Sequence, residues 1–100
     1  MKRIELNRNN IIKKIDEGME SGIYIYKDGS NICCIKLLKK YIELPTQKIE
    51  IPEETFENKR KKIEIINNDS LFSDEVRPIS LVYENGMFLG YTMELENYKT

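Results

Sequence analysis

One hundred residues hold one domain, and an apolar fraction of 40% gives it one modest core. Sixteen basic and 17 acidic side chains leave a net charge of −1, which excludes a whole-molecule attraction to nucleic acid or to an anionic membrane. With no histidine and two cysteines, the chain has no His-based triad, no His general base and no zinc site of the common types. No stretch approaches the ~20 apolar residues of a membrane span. The segment Met1 to Arg8 lacks the apolar core of a secretion signal. A cytoplasmic location is expected, with neither membrane nor nucleic acid as partner.

Met1 to Asn10 is polar apart from Ile4 and Leu6. It fits either a short strand or a loose leader and is assigned as a leader over residues 1–10. Ile11, Ile12 and Ile15, set among lysines, predict a first strand of about five residues, although a helical turn fits the same spacing. Asp16 to Gly22 carries two glycines and reads as a loop. Ile23 to Lys27 is rich in β-branched and aromatic residues and reads as a second strand. Asp28-Gly29-Ser30-Asn31 predicts a hairpin turn, and Ile32 to Leu38 a third strand. Lys39 to Gln47 is a connector, and Lys48 to Ile51 fits a brief strand.

Pro52-Glu53-Glu54 is a helix start, because proline suits a first turn and acids there complement the helix dipole. The helix is predicted from Glu53 to about Asn67, with Phe56, Lys59 or Arg60, Ile63 and Ile66 along one stripe. Leu71 to Arg77 reads as a loop. Ile79 to Glu84 and Met87 to Met93 read as two further strands around an Asn85-Gly86 turn. Glu94 to Thr100 is predicted to leave the sheet, with 98–100 as a tail. The expectation is a single α+β domain over residues 1–100: a five-stranded antiparallel sheet with one packed helix, in the order βββαββ.

Lys36 stands in the run Cys33-Cys34-Ile35-Lys36-Leu37-Leu38. A lysine there sits at an exposed sheet edge or has been placed for a reason. Strand alternation puts Cys34, Lys36 and Leu38 on one face and Ile35 and Leu37 on the other. If Ile35 and Leu37 face the helix, Lys36 faces away from it, toward a cleft. Cys33 and Cys34 point to opposite faces, are poorly placed to bridge each other, and read as reduced, buried thiols. Tyr24 and Tyr26 share a face and read as part of a cross-strand aromatic pairing. The four bases Lys59 to Lys62 read as a solvated helix face.

The element order and the lysine together resemble the N-terminal lobe of a protein kinase. That pattern is G-x-G-x-x-G-x-V, then V-A-I-K in strand three, a helix bearing a glutamate, and two strands leading to a hinge. Cys33-Cys34-Ile35-Lys36 matches the V-A-I-K slot. Asp16 to Ile23 matches the loop slot, with Gly18 on the middle glycine, Ile23 on the valine, and Asp16 and Ser21 in place of the outer glycines. Gly90 to Leu95 resembles the end of strand five and the start of the hinge.

The resemblance implies that Lys36 anchors phosphate while Gly18 and Ser21 shape the loop. It implies that Ile23, Cys34 and Met93 line the adenine pocket and that Glu94 and Leu95 offer hinge backbone. The family's helix glutamate falls near Lys62, leaving Glu57 and Glu64 as candidate ion-pair partners of Lys36. The family's catalytic H-R-D and metal-binding D-F-G belong to a second lobe. The stretch is therefore expected to be half of a nucleotide site, a pseudokinase-like piece that is not catalytic by itself. It would bind ATP and Mg only with a C-lobe, supplied by the same polypeptide or by a kinase-like partner. The alternative expectation is a non-catalytic α+β protein-interaction module.

Overall fold

The computed structural model describes residues 2–68 and 78–95. It is an α+β fold built on a six-stranded mixed sheet in the order β1-β7-β8-β4-β3-β2. The strands are β1 (Lys2–Glu5), β2 (Ile11–Glu17), β3 (Ser21–Asp28), β4 (Asn31–Leu38), β7 (Ser80–Glu84) and β8 (Met87–Met93). β5 (Tyr41–Glu43) and β6 (Lys48–Glu50) form a separate antiparallel hairpin, and α1 runs from Glu53 to Asn68. No helix among the described residues is long and apolar enough to cross a membrane.

The two predicted turns form for the expected reason. Asn85 and Gly86 both have positive φ, 53° and 81°, as the tightest hairpin turn requires. Gly29, at φ 64°, takes the first central position between the paired Asp28 and Asn31. The helix also begins where the acids of its first turn placed it.

The sheet departs from the five-stranded expectation at its start. Residues assigned as a leader form β1, which pairs in parallel with β7 from Lys2↔Ser80 to Glu5↔Tyr83. Without β1 the outer side of β7 would be an open row of backbone donors and acceptors. The segment is held by several bonds. The Leu6 amide donates to the Tyr83 carbonyl at 2.7 Å, and the Asn7 amide to the Tyr26 hydroxyl at 3.0 Å. Arg8 donates twice to Glu84, at 2.8 and 2.9 Å, and this holds the Glu84 carboxyl below its usual range. Leu6 itself is buried.

The predicted loop Asp16 to Gly22 is also shorter than expected. β2 continues to Glu17 and β3 begins at Ser21, so only Gly18, Met19 and Glu20 connect them. The Gly18 amide closes the turn on the Ser21 carbonyl at 2.8 Å. Gly22 lies in the strand, where its missing side chain leaves room for Tyr24: a Cβ would come 2.7 Å from the Tyr24 hydroxyl. β2 is an edge strand with two register shifts, which blunt it against pairing with another chain.

Two apolar clusters sit on opposite faces of the sheet. One joins Leu6, Tyr26, Cys33, Ile35, Leu37, Val82 and Leu89. The other joins Phe56 of α1 to Leu81 and Phe88, with Leu38, Ile51 and Ile63 against it. Each fully buried Leu or Ile here stabilises the fold by about 2 kcal/mol. A bulge in β8 brings Tyr91 back to the face of Phe88. Tyr83 pairs with Phe88 but Val82 with Gly90, so Leu89 is the extra residue and turns to the face opposite Phe88. Of the predicted helix stripe, Phe56 is core and Ile63 packs half-buried against it. The Ile66 side chain, the 71–77 loop and the 98–100 tail lie outside the described residues.

Gly90 has a steric reason to be glycine. A Cβ on it would run into the Lys36 carbonyl, with the carbonyl carbon at 2.9 Å and the Leu37 Cα at 3.2 Å. The obstacle is backbone, which cannot turn aside. Gly90→Ala is expected to cost ~3 kcal/mol or more in a denaturant titration. Leu6→Ala is expected to cost about 2–3 kcal/mol, because β1 docks through it.

Candidate functional site

Register brings the expected site residues into line. Across β3, β4 and β8, Ile23 pairs with Lys36 and Lys36 with Tyr91. One step along, Ile25 pairs with Cys34 and Cys34 with Met93. Directly paired residues share a face, so Ile23, Cys34, Lys36 and Met93 all lie on one side of the sheet. At one end of this face is the Gly18–Glu20 connection, next to the Ser21↔Leu38 pair. At the other end β8 finishes at Met93, followed by Glu94 and Leu95. Ser21 to Cys34, measured along β4 from Leu38, is four residues, or about 13 Å.

This is the helix face, which corrects the expected arrangement of β4. Ile35 and Leu37 belong to the cluster on the far side, while Leu38 packs toward Phe56. Lys36 therefore points toward α1 rather than away from it. Its ammonium lies 6.0 Å from the centre of the Tyr91 ring, at the outer limit of a cation–π contact. Tyr91 is half-buried, and burial raises its hydroxyl pKa. Cys34 and Met93 are buried and back the row, so the partly exposed apolar surface beside Lys36 comes from Ile23 and Tyr91.

Between β4 and α1 lies a cavity of about 190 Å³ lined by Lys36, Leu38, Lys59, Lys62, Ile63, Gly90 and Tyr91. The helix position facing Lys36 is thus occupied by lysine. Glu57 and Glu64 do not meet Lys36: both are bridged to Arg60, at 2.6 and 2.7 Å. Spacing on the helix explains this, since residues three and four apart share a side, and Arg60 lies three from Glu57 and four from Glu64. Among the described residues Lys36 has no carboxylate at salt-bridge distance. Lys59 has one, Glu20 at 3.0 Å, which ties the β2–β3 connection to the helix.

The solvated run Lys59 to Lys62 therefore divides. Arg60 closes on its own helix, while Lys59 and Lys62 reach the Lys36 cavity. The i,i+3 spacing of those two lysines, next to the half-buried Ile63, was the available signal. Tyr91 carried a signal too, since it lies two residues before Met93 and shares its strand face.

A larger cavity of about 490 Å³ opens on the opposite face, lined in part by Tyr24, Leu37, Leu89, Lys40 and Tyr41. Two of its cations are already paired, Arg8 with Glu84 and Lys39 with Glu17. None of the phosphate or adenine positions expected from the sequence lines it. No three His, Cys, Asp or Glu side chains among the described residues come together as a metal site.

Cys33 and Cys34 are free and buried. Burial pushes the Cys33 thiol up to about 11, with Asp28 adding to the shift, and raises Cys34 as well. Neither thiol is an activated nucleophile. No protein-family model, curated protein or solved structure matches this chain.

The folded protein keeps the Cys33 proton where the unfolded chain has lost it. Its contribution to stability is complete below pH ~9 and is lost as pH rises toward ~11. Iodoacetamide at pH 8 is expected to leave both cysteines of the native protein unmodified and to alkylate both in denaturant, as read by mass spectrometry.

Proposed function

We propose that this chain supplies the nucleotide-facing half of a kinase-like site, completed by a second lobe in the same polypeptide or in a partner. One observation carries the reading: the strand register sets Ile23, Lys36 and Tyr91 side by side, with Cys34 and Met93 in the next row. A phosphate anchor beside an apolar row is the arrangement that a nucleotide needs. Its anionic end meets Lys36 near the Gly18–Glu20 connection, and its base lies toward Ile23 and the Met93 end of β8. Glu94 and Leu95 then stand where hinge backbone would be offered.

The helix makes this a binding half and not a catalytic one. Lys62 stands where a kinase carries the glutamate that pairs with the strand lysine. Lys36 is consequently held by Tyr91 and by whatever anion enters. A base and metal ligands for phosphoryl transfer belong to the completing lobe.

A second reading, an interaction module without nucleotide, is favoured by the β5–β6 hairpin. Tyr41 and Ile49 are each 44% exposed and Leu44 is 40% exposed on this one small element.

A half-site is expected to bind weakly, with a dissociation constant of about millimolar. Amide shifts in an NMR titration with ATP therefore suit it better than a thermal shift. The expected outcome is perturbation at Gly18 to Ser21, Ile23, Lys36 and Tyr91, largely lost in Lys36→Ala. Perturbation confined to Tyr41 to Ile49, or identical in Lys36→Ala, would favour the module instead.

A further inference from the structure

We propose that the cavity between β4 and α1 binds polyphosphate in its metal-free form, through Lys36, Lys59 and Lys62 together. This rests on the reading of the face as nucleotide-binding and names the ionic form of the ligand that it selects.

Three lysine side chains line one cavity of about 190 Å³ in a chain whose net charge is −1. Their convergence is therefore local and not a by-product of a basic protein. Lys59 and Lys62 are one helical turn apart and approach Lys36 from the other wall. The nearby helix carboxylates are taken by Arg60. Among the described residues, Glu20 on Lys59 is the one carboxylate that offsets any of the three. Like charges drawn together repel, and the repulsion is relieved when a polyanion enters. Leu38, Ile63 and Tyr91 line the same cavity. Magnesium cancels negative charge on the phosphates and keeps its own waters. It competes with the lysines for the same oxygens, and no carboxylate set is present among the described residues to welcome it.

Glu20 has a definite part in this arrangement. It holds Lys59 at 3.0 Å in the ligand-free protein, so an incoming phosphate must displace it. Removing its charge frees Lys59, and removing the Lys59 charge has the opposite effect.

The test is calorimetric titration of the full chain with inorganic tripolyphosphate and with ATP, each in EDTA and in excess magnesium. Both ligands are expected to bind in EDTA, and magnesium is expected to weaken both about fivefold or more. Lys59→Gln and Lys62→Gln each weaken metal-free binding about fivefold, Glu20→Gln tightens it, and Lys2→Gln on the far edge strand leaves it unchanged. Circular dichroism confirms the fold of each variant. Magnesium-loaded ATP binding as tightly as free ATP, or Lys62→Gln without effect, overturns the proposal even if nucleotide binds. Tripolyphosphate binding as tightly as ATP supports the lysine site but sinks the nucleotide reading. Absence of heat with every ligand overturns both.

Discussion

The close approach of β8 to β4 at Gly90 is the constraint on which the rest of this structure depends. Only a residue without a side chain fits against the Lys36 carbonyl. That contact locks β8 in the register that pairs Lys36 with Tyr91 and Cys34 with Met93. Strand alternation divides Phe88 and Leu89 between the two faces, and the neighbouring bulge returns Tyr91 to the face of Phe88. One tight backbone contact thus sets both the core and the row of residues next to Lys36. Fold and candidate site are specified by the same few peptide units, so damage to either is expected to damage the other.

The charges on α1 have a logic that composition hides. An exposed ion pair contributes little by itself. Arg60 nevertheless closes on both Glu57 and Glu64, which leaves Lys59 and Lys62 as the groups facing β4. A kinase-like lobe with a glutamate there would neutralise its strand lysine from within. Here Lys59 and Lys62 line the same cavity as Lys36, and Glu20 pairs with Lys59.

Local signals were the legible ones. Asn85-Gly86 and Asp28-Gly29 announced their turns because positive φ selects residue type directly. Pro52-Glu53-Glu54 announced the helix for a similar local reason. β1 was legible only as one of two alternatives, a short strand or a leader, since a parallel pairing between residues about 80 positions apart leaves no local mark beyond the alternation of Ile4 and Leu6. The face of Lys36 was legible only by halves. Period two separated it from Ile35 and Leu37, but which side the helix covers depends on Phe56 meeting Leu81 and Phe88, a long-range fact. The partners of Glu57 and Glu64 were missed because a helix neighbour three or four residues away competes better than a lysine on another element.

A nucleotide is proposed to lie on the α1-facing side of the sheet, across Ile23 and Lys36. Intermolecular nuclear Overhauser contacts from the base protons of bound ATP to methyl-labelled protein test it most directly. Contacts to the Ile23 methyls are predicted, with none to Leu37 or Leu89. Contacts to Leu37 and Leu89 would put the ligand in the larger cavity on the opposite face and overturn that placement.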